Sequence, residues 1–144
     1  AVGAGTLLRT IAALKVGTLI AQQQDASLAT YAAKIEKEDC VLHFARPAKS
    51  LHDQIRGLSP IPLSFTHTPD GKLLKVLASR VSPVASCADV PAGTVISLDN
   101  GVITVACGEG TARDILRVLP EGKGRMEAAD FIRGRKISVG DLLS

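Results

Sequence analysis

The sequence of 144 residues contains no tryptophan, one tyrosine and three phenylalanines, so only 3% of it is aromatic. Proteins that bind single-stranded nucleic acids commonly stack successive bases on several aromatic side chains. The low aromatic content argues against a row of such stacking platforms. If a nucleic acid is the partner, we expect contacts with its phosphates and with the shape of a folded strand.

Cysteine and histidine are also sparse, with three residues of each. Cys40, Cys87 and Cys107 lie far apart and form no CxxC pair, which argues against a disulfide framework or a structural zinc site. The histidines have none of the spacings of a metal-binding motif. We therefore expect no bound metal, a reducing compartment, and three thiols that serve as small apolar side chains.

The motifs of common catalytic centres are missing as well. The sequence contains no GxGxxG, GxxxxGKS or GxSxG motif, so it lacks the signatures of phosphate-binding loops and of a nucleophile elbow. Its carboxylates Glu38, Asp39 and Asp53 occur in charged runs that a solvated surface explains. These observations predict a binding module without catalytic residues of its own.

Long hydrophobic runs are absent, and none approaches the roughly 20 residues that a transmembrane helix requires. The chain also begins without a basic and then apolar leader, so we expect a cytoplasmic protein that meets no membrane. A hydrophobic content of 46% and a charged content of 22% are typical of a globular domain. The net charge of +3 permits an anionic partner but does not require one.

The N-terminal region predicts a helix followed by a connector. In residues 6–16, Leu7, Ile11 and Leu14 form one apolar stripe, and Gly17 is placed to end the helix. The stripe must pack against a partner, which is either a preceding domain or the body of this one. We assign 1–20 to a remnant helix of another domain, 21–38 to a polar linker and 39–144 to the main domain.

Two further helices are predicted in the main domain, at 47–58 and 126–133. The residues expected on their apolar faces are Leu51, Ile55 and Leu58 in the first helix, and Met126, Ala129 and Ile132 in the second. The tail 135–143 is expected to be extended.

Five short strands are predicted between these helices, at 63–68, 72–80, 94–98, 102–107 and 111–119. Pro69-Asp70-Gly71 and Asp99-Asn100-Gly101 have the turn chemistry that makes hairpins of the strands around them. Segment 83–92 is predicted to be a loop. The fold class that follows is mainly β with flanking helices, an OB-like small β-barrel; the alternative is an open antiparallel sheet covered by helices.

Positive charges concentrate near the C-terminus. Seven basic residues occur between positions 113 and 136, namely Arg113, Arg117, Lys123, Arg125, Arg133, Arg135 and Lys136. Because Arg113 and Arg117 are four positions apart on a strand, we predict that they share a face. The cluster is interpreted either as an anion-binding surface or as an ordinary solvated one.

Two segments, QDASLATYAAKIEKED at 24–39 and LPEGKGRMEAADFIRGRKISVGD at 119–141, resemble the linker and the C-terminal domain of the methionyl-tRNA formyltransferase family. The resemblance covers nearly the whole chain. It implies an OB-like domain that binds tRNA, in an enzyme that transfers a formyl group from 10-formyltetrahydrofolate to methionyl-initiator tRNA in translation initiation. It also implies that catalysis belongs to an N-terminal domain absent from this chain, so the fragment alone is expected to be inactive and without a cofactor.

The resemblance also suggests which residues bind the nucleic acid. The predicted binding residues are Lys34, Lys37, Arg56, Lys123, Arg125 and Arg133. Lys34 and Lys37 match linker lysines of the family, and Lys123 matches a basic position in the loop before the last helix. The three arginines are predicted from charge and position.

The expected partners are initiator methionyl-tRNA and the protein's own catalytic domain, with the protein a monomer. Two alternatives differ from this interpretation. One is the corresponding domain of a related formyltransferase, or of a formyltetrahydrofolate hydrolase, that does not bind tRNA. The other is a structural module that docks on a partner protein through the apolar stripe of the first helix.

Overall fold

The computed structural model describes residues 2–83, 87–134 and 136–144. It divides the chain into two compact units, Ala1–Lys34 and Ile35–Ser144. The predicted loop 83–92 lies partly outside the described residues, and the predicted basic residue Arg135 lies wholly outside them. No helix in the described ranges combines the length and the apolar character that crossing a bilayer demands.

The first unit contains helix α1, Val2–Lys15. Gly17 follows it with a φ of 69° and donates a backbone hydrogen bond to the Leu14 carbonyl, so the helix ends at the glycine predicted to end it. Leu7, Ile11 and Leu14 are 59%, 41% and 65% exposed. The predicted helix is confirmed, with an earlier start, and its apolar stripe is open.

The connector of the first unit carries one short turn, the 3-10 segment Ala26–Leu28. The Asp25 carboxylate caps this turn by accepting hydrogen bonds from the backbone N–H and the hydroxyl of Ser27. These bonds lower the pKa of Asp25, the side-chain bond from Ser27 first and its backbone bond second.

The second unit is an antiparallel sheet with two helices. Its elements are α2 (Ala48–Leu58), β1 (Ser64–His67), β2 (Leu73–Val81), β3 (Val95–Ser97), β4 (Ile103–Ala106), β5 (Ala112–Pro120), β6 (Met126–Glu127) and α3 (Ala128–Arg133). The strand order is β1-β2-β5-β4-β3, and the short β6 pairs with β5. The five predicted strands are confirmed within one residue at each end, and β6 is an addition.

Helix α2 covers the sheet with the apolar face that its spacing predicted. Leu51, Ile55 and Leu58 are buried, and the first two join the main core with Leu74 and Val76 of β2. Burial of side chains of this size stabilises the fold by about 1.5–3 kcal/mol each. The helix is therefore held by packing against β2.

The two predicted hairpin turns are confirmed. Gly71 has a φ of 76° and donates a backbone hydrogen bond of 2.8 Å to the Thr68 carbonyl, which closes the turn between β1 and β2. Asn100 and Gly101 have φ values of 54° and 72° in the turn between β3 and β4. These left-handed conformations are the ones that Asn and Gly tolerate best.

A β-bulge in β5 makes one prediction wrong. Ile115 lies opposite Ser79 of β2, whereas Arg117 lies opposite Ala78, so Leu116 has no partner of its own. The extra residue reverses the alternation of side chains along β5. Arg113 is therefore buried, while the Arg117 side chain is about half exposed, and the two do not share a face.

The buried Arg113 is part of the interior of the domain. Its Nη1 donates a hydrogen bond of 3.0 Å to the carbonyl of Ala48, at the start of α2. Desolvation lowers the pKa of the Arg113 guanidinium to about 10, so it stays charged at neutral pH. This arginine joins β5 to α2 and adds nothing to the surface charge.

The last helix differs from its prediction at its start and on its buried face. Met126 pairs with Val118 of β5, so the chain stays in a strand there and α3 begins two residues later. Ala128 and Phe131 are the buried residues of α3, while Ala129 is only partly covered. The predicted Met126–Ala129–Ile132 face is therefore confirmed in part: Met126 and Ile132 pack against the core, but Ala128 and Phe131 are the residues buried most deeply.

The C-terminal tail connects the two edge strands of the sheet. On one side, Leu143 donates to the carbonyl of Gly93 at 2.9 Å, next to β3. On the other side, His67 of β1 donates to the carbonyl of Ser144 at 2.7 Å. The sheet is curled, and hydrogen bonds of the tail bridge its two edges.

The three cysteines are buried and free, as predicted. Burial raises the pKa of the Cys107 thiol to about 11, so this thiol stays protonated at neutral pH. In the described ranges, no group of three or more His, Cys, Asp or Glu side chains has the arrangement of a metal site.

The bridging of the two sheet edges by the C-terminal tail can be tested at Leu143. Leu143 is 2% exposed and belongs to the main core, whereas its neighbour Leu142 is 54% exposed. We expect Leu143→Ala to lower the free energy of unfolding by about 2–5 kcal/mol, because it leaves a cavity in the core. Leu142→Ala should change it by less than about 0.5 kcal/mol. Denaturant unfolding checks both, and equal effects would contradict the buried placement of Leu143.

Candidate nucleic-acid interface

Lys37 precedes a short turn that is fixed at several points. The turn is the 3-10 segment Glu38–Cys40, and the Asp39 carboxylate closes it by accepting a hydrogen bond of 2.9 Å from the Glu36 N–H. Cys40 is buried in a small apolar cluster with Phe65. Lys37 is exposed beside this anchored turn.

Gln54 of α2 ties the same turn to the body of the domain. Its side-chain amide donates hydrogen bonds to the carbonyls of Asp39 and Val41, at 3.1 and 2.9 Å. The backbone around Lys37 is thus held by hydrogen bonds to the Asp39 carboxylate and from the Gln54 side-chain amide. Sequence reasoning placed Asp39 on a solvated face and did not single out Gln54. Glu36, the partner of Asp39, is three positions away, whereas the partners of Gln54 are 13 and 15 positions away.

Lys75 is a basic residue that the sequence reasoning missed. It lies in β2 between Leu74 and Val76, both fully buried, so the alternation of the strand turns Lys75 to the opposite face. Its neighbours across the sheet are Phe65 of β1 and Leu119 of β5. The alternation of the predicted strand 72–80 could have indicated that Lys75 points outward. It could not have indicated that Phe65 and Leu119 are its neighbours across the sheet.

Lys37 and Lys75 line the same surface depression, which has a volume of about 310 Å³. The other residues that line it are Ile35, Glu36, Cys40, Pro62, Phe65 and Leu73. The depression therefore combines an apolar floor with two ammonium groups and one carboxylate.

Lys123 lies on the loop between β5 and β6, and Glu121 anchors this loop to β2. The Glu121 N–H donates to the Leu73 carbonyl at 2.9 Å, and the Glu121 carboxylate accepts from the Leu73 N–H at 3.0 Å. Lys123 lines a second depression, of about 270 Å³, together with Lys75. The two depressions share Leu73 and Lys75, so they are continuous.

A narrow crevice of about 30 Å³ extends this surface from Lys123 to Lys72 and Lys136. Lys72 forms an ion pair with Asp70. The hydrogen bond from Lys72, followed by that from Thr68, lowers the pKa of Asp70 to about 2, and the same pairing raises the pKa of Lys72. The positive charge of Lys72 is therefore balanced by the Asp70 carboxylate.

We call this continuous surface the basic groove. Its lysines are Lys37, Lys72, Lys75, Lys123 and Lys136, and its carboxylates are Glu36, Asp70 and Glu121. Across the described ranges, all of these lysines except Lys72 lack a carboxylate within 4.0 Å. Exposed ammonium groups without a counter-ion can contact an external anion such as a phosphate.

The other predicted binding residues are placed differently. Arg125 is exposed and lies two positions after Lys123 on the same loop. Arg56 pairs with Asp53 at 3.5 Å and lines a separate cavity of about 190 Å³. Lys34 belongs to the first unit. Of these three residues, only Arg125 lies on a loop that lines the groove.

Arg133 also lies away from the groove lining. It forms an ion pair with Asp130, one turn earlier in α3, at 2.6 Å. Exposed pairs of this kind are weak, so a stronger anion can compete for the arginine. The structure thus brings together Lys37 and Lys123 of the predicted set, and nucleic-acid binding by all six residues stays a prediction.

Comparison with known proteins places this domain in a family. Residues 34–136 match the family model described as formyl transferase, C-terminal domain. Over 127 residues the chain is 42% identical to a methionyl-tRNA formyltransferase from Sorangium cellulosum, covering 88% of this chain and 40% of that protein. The protein of the same name from Methylobacterium nodulans is 44% identical over 147 residues, with coverages of 99% and 44%.

A methionyl-tRNA formyltransferase from Bacillus subtilis is 37% identical over 141 residues, covering 98% of this chain and 44% of that protein. The chain therefore spans about two fifths of the length of the curated relatives that it matches. Since the family model covers most of the sequence, the chain belongs to the formyl transferase C-terminal domain family.

The anchoring of the Lys37 turn can be tested at Gln54. We expect Gln54→Ala to speed amide hydrogen exchange at Cys40 and Val41, because two side-chain hydrogen bonds, worth about 0.5–1.5 kcal/mol each, are lost.

The control is Ser50→Ala. Ser50 accepts a hydrogen bond from Arg46, which also donates to Gln54, but Ser50 does not contact the turn. This variant should leave exchange at Cys40 and Val41 unchanged. Unchanged exchange in Gln54→Ala would mean that the turn is held without the glutamine.

Proposed function

We propose that this chain is the tRNA-binding domain and linker of a methionyl-tRNA formyltransferase. In this proposal the whole protein transfers a formyl group from 10-formyltetrahydrofolate to the amino group of methionyl-initiator tRNA. Catalysis takes place in an N-terminal domain outside this chain, in the cytoplasm, so the chain alone binds tRNA without formylating it. The proposal is supported by the family match and by the names of the relatives.

The observation that carries the proposal is the row of unpaired lysines in the basic groove. Lys37, Lys75 and Lys123 line two depressions that share one wall, so their ammonium groups follow one another along a continuous surface. A polynucleotide backbone presents negative charges at regular intervals along one line. The groove therefore suits a run of phosphates better than it suits a single small anion.

The proposed architecture of the whole protein follows from the two units. An OB-like barrel is supported by the tail, whose hydrogen bonds link the edge strands β1 and β3. We assign 39–144 to this barrel and 21–38 to the linker. The open stripe of Leu7, Ile11 and Leu14 supports a helix that packs on the catalytic domain. In this proposal the whole protein acts as a monomer.

Titration of the chain with initiator tRNA at increasing salt tests the proposal. We expect the logarithm of the association constant to fall linearly with the logarithm of salt concentration, as bound counter-ions are released. Lys75→Met and Lys123→Met should each weaken binding and reduce the slope by about 0.7–0.9, which corresponds to one lost phosphate contact. Methionine keeps the length of the side chain and removes its charge.

The matched control is Lys49→Met. Lys49 is an exposed lysine of α2 that pairs with Asp53 and does not line the basic groove. We expect tRNA affinity and salt slope to stay as in the parent chain. Absence of tRNA binding even at low salt would contradict the proposal and favour a relative of the family that has no tRNA to hold.

A further inference from the structure

The depression between the Lys37 turn and β2 is more apolar than phosphate binding requires. Five of the residues that line it are apolar, namely Ile35, Cys40, Pro62, Phe65 and Leu73. Ile35 is 52% exposed, so part of this apolar surface is open to solvent. A phosphate contacts lysines at the rim and leaves the floor uncovered. The floor therefore has room for a second chemical group.

We propose that this depression receives one unstacked nucleobase of the bound RNA, while Lys37 and Lys75 contact the phosphates next to it. The inference rests on the proposed function, because the basic groove has to bring the RNA strand to the depression. It adds a base-binding site to a surface otherwise suited to phosphates alone.

Charge and shape favour a nucleotide as the occupant. Two ammonium groups without an ion pair in the described ranges face one carboxylate, Glu36, so an anionic ligand is preferred. A volume of about 310 Å³ is at the lower end of small-molecule pockets, which suits one base. A nucleotide in a strand combines a base, whose flat faces have low polarity, with a phosphate on either side of it. An acidic peptide or a free phosphate has only the charge.

Exposed aliphatic surface distinguishes this depression from its neighbour. Ile35 is 52% exposed and Pro62 is exposed as well, whereas the Phe65 ring is only 6% exposed and backs the depression from within the core. In the second depression, which Lys123 lines, the apolar residues among the described ones are half-buried or buried. A base gains most by covering apolar surface that is open to solvent, so the base is assigned to the first depression.

Amide chemical shifts of the ¹⁵N-labelled chain test the inference with three probes: AMP, ribose 5-phosphate and inorganic phosphate. We expect AMP to perturb residues 35–40 and 73–75, and to bind at least about fivefold tighter than ribose 5-phosphate, because only AMP covers the apolar floor. Equal binding of AMP and ribose 5-phosphate would overturn the inference. So would AMP shifts confined to other parts of the domain.

A variant of the floor sharpens the test. Ile35→Ser removes an exposed apolar side chain. It should lower the affinity for AMP about threefold and leave the affinity for ribose 5-phosphate unchanged. The control is Val139→Ser, at an aliphatic residue that is 62% exposed and does not line the depression. AMP affinity that is unchanged in Ile35→Ser contradicts a base on this floor.

The salt titration with initiator tRNA distinguishes failure of the base site from failure of the proposed function. Salt-dependent tRNA binding without preferential AMP binding removes the base site and leaves the proposed function intact. Loss of tRNA binding at low salt removes the proposed function itself. Both measurements use the same chain, so the two failures are distinguishable.

Discussion

The pairing of β2 with β5 is the constraint on which the core and the basic groove both depend. Leu74 and Val76 of β2 are fully buried against α2, and this burial fixes which face of the strand points inward. Lys75, between them, is thereby turned outward beside Leu119 of β5. A slip of one residue would bury the lysine and expose the core, so the position of the groove follows from the packing of the interior.

The bulge in β5 decides how much of the positive charge reaches the surface. An extra residue at Leu116 sends Arg113 into the interior, where it holds the start of α2. On the other side of the bulge, Arg117 pairs with Glu127 of β6. Two arginines of the C-terminal cluster thus serve the fold. The positive charge that lines the groove comes from lysines, including those of the turn before α2, of β2 and of the β5–β6 loop.

The composition of the groove connects the two proposals. Phosphate contacts need only exposed lysines, and the sequence is rich enough in basic residues to supply them. A base-binding site needs apolar surface that is open to solvent, and the chain has very few aromatic residues to provide it. Ile35 and Pro62 supply exposed apolar surface in the depression that Lys37 and Lys75 also line. A single base held among several phosphates is therefore the arrangement that this composition supports.

The sequence by itself determined the strands, the hairpin turns and the buried face of α2, because alternation, helical spacing and Asn-Gly or Asp-Gly chemistry act over a few neighbouring residues. Lys37 and Lys123 were also predicted from the sequence, through family resemblance, and their role in nucleic-acid binding stays a prediction. Only the tertiary structure decided that Lys75 lies between them. It also decided that Arg113 is buried and that the tail bridges the sheet edges, because these outcomes depend on strand pairing between segments far apart in the chain.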